Sequence, residues 1–129
     1  MSDLEKQTEY WVTGSDEDWE VAYGLIERGQ YRHGLFFIHL SLEKVLKALV
    51  CQITQDFPPR IHRLVRLAEI AQICMDSRRR DILAHMNLYQ LEGRYPSKVK
   101  PPVTKELAHK MVKDCEEVRI WLKGQLSIL

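Results

Sequence analysis

The chain has 129 residues, 45% hydrophobic and 29% charged, the balance of one soluble domain (residues 1–129) with enough apolar surface to bury a core without staples. Its net charge of +1 excludes a polybasic or polyacidic chain, yet residues 1–30 carry −6 and residues 31–129 carry +7, an asymmetry that permits a basic face toward an anionic partner. Cys51, Cys74 and Cys115 form no C-x-x-C, and the start MSDLEKQTEYW has no apolar signal core; a disulfide framework, a zinc site and a secretory leader are therefore not expected.

Leu4 to Val12 reads as a short helical arm ended by Thr13 and Gly14. Ser15 then reads as the N-cap of the first main helix, with Asp16, Glu17 and Asp18 in its first turn, where the helix dipole favours negative charge. Trp19, Ala22, Leu25 and Ile26 form its apolar face, and Gly29 ends it in a tight turn.

Tyr31 to Thr54 is the stretch around which the chain is organised. Leu35, Ile38, Leu42, Val45, Leu46, Leu49 and Ile53 recur at steps of three and four, while Phe36, Leu40 and Val50 widen that face. The pattern predicts a central helix about 36 Å long with neighbours on two or three sides. It also carries His39, Glu43, Lys44 and Lys47. The four-residue steps from His39 to Glu43 and from Glu43 to Lys47 line up an internal polar ladder, the reading preferred over a ligand or catalytic role.

After Thr54, Phe57, Pro58 and Pro59 break the helix. A connecting helix is expected from about Ile61 to Cys74, with Leu64, Leu67, Ala68, Ala71 and Cys74 inward and Arg60, Arg63 and Arg66 sharing a side. Such an arginine row is usually a solvated face; phosphate binding is the sharper reading. A fourth helix is expected from Ser77 to Leu91, with Ile82, Leu83, Met86 and Tyr89 inward, followed by the proline-rich loop GRYPSKVKPP. Thr104 caps the last helix, where Leu107, Met111, Cys115, Val118 and Leu122 repeat and Trp121 lies beside the stripe. The fold expected is all-α: an antiparallel up-down bundle of four principal helices, an N-terminal helical arm and a short connecting helix.

The chain has no glycine-rich phosphate loop, serine-nucleophile signature or zinc-protease signature. What it does have is H-x-x-x-E-K-x-L-K-A-L at His39 to Leu49, preceded by Gly29 and Tyr31 and followed by His62 after the prolines and by R-Y-P at Arg94, Tyr95 and Pro96. In that order these features resemble the HEPN domain family (higher eukaryotes and prokaryotes nucleotide-binding), over about Trp19 to Leu122, and the R-Y-P suggests one branch of it.

The resemblance implies a small prokaryotic homodimer; the unpaired cysteines and the lack of a long apolar run fit a cytoplasmic chain without membrane contact, and no cofactor is expected. It would work with a minimal nucleotidyltransferase in a two-component, toxin–antitoxin-like module and bind nucleotide or RNA. Lys47, Tyr89, Arg94 and Tyr95 are the binding candidates, since aromatic faces beside cations suit a base and its phosphate. It also implies an alternative, a metal-independent endoribonuclease of the R-x(4-6)-H type, in which an arginine fork holds the scissile phosphate and a histidine moves a proton. Arg80 and His85 fit that spacing, as do Arg28 with His33 and Arg32 with His39. The Arg80 match is the better one, because it lies on one expected helix and has Asp81 as its polar second residue. A third reading is a dimeric interaction scaffold without catalysis.

Overall fold

The computed structural model describes residues 2–90 and 103–126. Five helices make up its regular structure, in the order α1 (Asp3–Glu27), α2 (Tyr31–Thr54), α3 (Leu64–Ile70), α4 (Ser77–Gln90) and α5 (Lys105–Gly124). The all-α class expected from periodicity is the class observed. None of the described helices is long and apolar enough to cross a membrane.

The first departure lies in α1, where the expected arm and first helix are one continuous helix of 25 residues. Its N-cap is Ser2, whose side chain accepts from the Glu5 amide while Glu5 returns a bond to the Ser2 amide, a capping box that satisfies two donors at the helix start. Ser15 is no cap. It is buried, and its hydroxyl donates to the Ser41 carbonyl at 2.7 Å while the Ser41 hydroxyl donates to the Ser15 carbonyl at 2.7 Å. Gly14 and Ser15 mark the place where α1 and α2 approach closely; a Cβ on Gly14 would stand 3.0 Å from the Lys44 side chain.

Gly29, at φ 78°, turns the chain into α2, as only glycine does without steric cost. From Ser41 to Cys51 every residue of α2 except Lys44 is buried, so this helix is the centre of the bundle. Its Leu35, Ile38, Leu42, Val45 and Leu46 meet Trp19 and Ile26 of α1, Leu64 and Leu67 of α3, Leu83 and Met86 of α4, and Met111, Val118 and Leu122 of α5 in one core. Ile53 lies beyond that core and is exposed.

A second close approach occurs at Gly34, where a Cβ would lie 2.5 Å from Ile26 Cδ1 and 3.2 Å from the Ala22 carbonyl. Gly34→Val is therefore expected to destabilise the fold by about 2 kcal/mol, because overpacking outweighs the gain in helix propensity. A denaturant midpoint equal to wild type would contradict that close packing.

Gln55, at φ 56°, ends α2. The following segment has no regular structure, so α3 begins at Leu64 rather than near Ile61. The helix also ends early, since Gln72 adopts φ 57° and cannot continue it. Cys74 consequently lies on the surface and not on an inner face. The last two helices start as expected, at Ser77 and after Thr104, whose side chain accepts from the Leu107 amide. Leu107 is exposed, and Ala108 takes the inward position in that turn. Asp16 ties α5 back to α1, 2.7 Å from Arg119 and 2.9 Å from Lys123.

Candidate functional site

Two places bring chemistry-bearing residues together. The first is the polar ladder. Glu43 Oε2 accepts from Lys47 Nζ at 2.9 Å and stands 3.0 Å from His62 Nδ1, and Glu43 Oε1 is 3.7 Å from His39 Nδ1. The Lys47 ammonium also lies 5.2 Å above the Trp11 ring of α1. Lys44 leaves the ladder and pairs with Asp18 of α1 at 2.7 Å.

His39 has no exposed surface. Burial pushes its pKa down to about 4, Glu43 pulling weakly the other way, so the ring is neutral near pH 7. Lys47 has its charge met inside the bundle by Glu43 and Trp11. The ladder has the form of an internal ion-pair network, with one member, His62, reaching solvent.

Sequence reasoning missed both outer members. Helical spacing does not reveal a partner nineteen positions away, as His62 is from Glu43, nor one on the preceding helix, as Trp11 is. For His62 the available signal was its place after the two prolines.

The second place is a cleft of about 280 Å³ between α4 and α5. Ile82, Leu107, Met111 and Cys115 give it an apolar floor, and Asp81, His85, Lys110 and Asp114 form its rim. On the rim Lys110 pairs with Asp114 at 2.8 Å, and Asp114 also lies 3.5 Å from Arg78. Burial pushes the Cys115 thiol up to about 12, which keeps it protonated and inert. Tyr89 is buried beside the cleft: its ring meets His85 edge-on at 6.2 Å and its hydroxyl donates to Met111 Sδ at 3.6 Å.

Arg80 does not line this cleft. It points the other way around α4 and pairs with Glu69 of α3 at 3.1 Å, so Arg80 and His85 occupy opposite flanks of their helix, as a five-residue step requires. Their neighbours Arg78 and Arg79 clamp α4 to α5: Arg78 meets Glu117 at 2.6 Å, Arg79 meets Glu117 at 3.0 Å, and the Arg79 guanidinium lies 4.6 Å above the Trp121 ring. Arg94, Tyr95 and the R-Y-P motif lie outside the described residues.

The HEPN domain profile matches residues 8–125. Among solved structures, the crystal structure of ST0689, an archaeal HEPN homologue, superposes with a TM-score of 0.72 at 20% identity, covering 98% of this chain and 100% of that one. At that identity the likeness concerns the fold. No curated protein matches the chain.

Proposed function

The chain belongs to the HEPN domain family, and from that premise we propose that it is the binding half of a two-component module, a homodimer that engages a minimal nucleotidyltransferase and takes nucleotide or RNA. The observation that carries this reading is the α4–α5 cleft. An apolar floor inside a charged rim is the anatomy of an interface centre. At about 280 Å³ it falls just short of the ~300–1,000 Å³ typical of sites that enclose a whole small ligand, so a second surface would have to complete it. Leu107, exposed on the floor's edge, is the natural contact.

Light scattering after size exclusion tests the dimer, and co-purification with a nucleotidyltransferase encoded beside the gene tests the partner. Wild type is expected to be dimeric and to retain the partner, whereas Leu107→Glu is expected to lose at least one of these while keeping its helical circular dichroism. A monomeric wild type that also ignores the nucleotidyltransferase would sink the proposal. Nucleotide binding has its own readout, a rise in melting temperature at millimolar nucleotide.

A second reading, metal-independent RNA cleavage, is favoured by the Arg80 and His85 spacing on α4. Because the two face opposite flanks, one phosphate would meet both only where two protomers close on each other. It predicts cleavage that survives EDTA and is lost in both Arg80→Ala and His85→Ala.

A further inference from the structure

From Phe57 to Arg66 the chain reads FPPRIHRLVR, with three arginines, one histidine and no acid. This strap joins α2 to α3 and includes the first residues of α3. Arg60, Arg63 and Arg66 are all exposed. Arg60 and Arg63 meet no carboxylate among the described residues; Arg66 and Arg80 share Glu69, at 3.5 and 3.1 Å. Glu69 therefore meets two of the four arginines, and through it Arg80 of α4 joins the strap's charge.

Two further features distinguish the strap from an ordinary solvated face. Phe57 is 59% exposed and is followed by two prolines, which stiffen the backbone that presents its ring. At the other end, His62 is held 3.0 Å from the buried Glu43 carboxylate, which fixes the strap to the centre of the bundle. Arginines supply phosphate contacts, and an exposed aromatic ring supplies a stacking surface for an unpaired base; together these are the parts that single-strand binding uses.

We infer that the strap Phe57–Arg66, with Arg80, is a contact surface for single-stranded RNA, in which Phe57 stacks on a base and Arg60, Arg63, Arg66 and Arg80 meet the backbone phosphates. This rests on the RNA-binding reading above and gives it a surface separate from the α4–α5 cleft. Duplex RNA fits less well, because its stacked bases offer Phe57 no free face.

Fluorescence anisotropy with a labelled twelve-nucleotide single strand, its duplex and anionic phosphatidylserine vesicles, over a series of salt concentrations, tests the inference. The paired substitution Arg60→Gln with Arg63→Gln is expected to weaken single-strand binding tenfold or more. It should also flatten the slope of log K against log salt by about 1.4, as loss of two phosphate contacts requires. Phe57→Ala is expected to weaken binding by about five- to 150-fold and leave the slope unchanged. Lys6→Gln, at an exposed position of α1, should bind as wild type does. All these side chains are exposed or at the surface, and circular dichroism confirms the fold of each variant.

If wild type binds the strand but the strap variants bind equally well with the same slope, the strap is overturned while RNA binding stands. Wild type that binds no RNA even at low salt overturns both. Tighter binding to the vesicles than to RNA, lost in the same variants, would make the surface a membrane contact and overturn the choice of RNA.

Discussion

Glu43→Ala is expected to lower the stability of the fold by about 3–5 kcal/mol, the usual cost of removing one partner from a buried ion pair. The carboxylate is nearly fully buried, and its Oε2 alone holds Lys47 and His62. Without it the Lys47 ammonium stays under the Trp11 ring with no counter-charge, and the strap loses its anchor. Adding Lys47→Met should recover a large part of the loss, since replacing both members by apolar groups removes the stranded charge. Chemical denaturation of wild type, both single variants and the double variant measures the coupling. Strict additivity would show that the ladder is not a unit.

Acidification is expected to destabilise the protein through His39. Its pKa is about 4 in the folded chain against about 6.5 when unfolded. Between those values the unfolded state binds the extra proton, so stability rises with pH. His39 thus contributes its full share above pH 6.5 and loses it as pH falls toward 4, by about 3 kcal/mol in all. Asp16 and Asp76, whose paired arginine and lysine groups outweigh desolvation and hold their carboxyls below the usual range, act beneath that window. Denaturant midpoints from pH 7 to 4.5 should fall in wild type and stay nearly level in His39→Leu. Parallel curves would exclude His39 as the source.

The central helix was legible to the residue, from Tyr31 to Thr54, because a long 3.6-residue apolar rhythm has no competing reading. The helix start at Ser77, the cap at Thr104 and the His39–Glu43–Lys47 ladder were equally local signals. Gly14–Ser15 misled because small and hydroxyl residues serve two purposes: they end helices, and they let helices touch. Only the partner, Ser41 on the next helix, decides which applies. Cys74 misled for a related reason, since the left-handed turn at Gln72 that ends α3 carries no glycine to announce it.

For the candidate site, the sequence showed that Arg80 and His85 share α4 but not that Glu69 draws one toward α3 while the cleft receives the other. His62 and Trp11, which complete the ladder, were invisible to spacing. Long-range pairing is a property of the packed bundle, and helix periodicity contains no record of it.

The reciprocal serine pair between α1 and α2 has a consequence for how the molecule opens. Those helices are consecutive, joined by a three-residue turn and locked along their length by Ser15 with Ser41, by Asp18 with Lys44 and by Gly34 against Ile26. The opposite side is held differently: α4 and α5 share core contacts such as Tyr89 with Met111, but a cleft parts them along one side, and much of their polar fastening is surface ion pairs around Glu117, which salt weakens. Cooperative unfolding units follow such differences in local packing. The hairpin of α1 and α2 is then the last part to exchange its amide protons, and α4 and α5 are the first. The face proposed for a partner is thus the one that can yield without unravelling the rest.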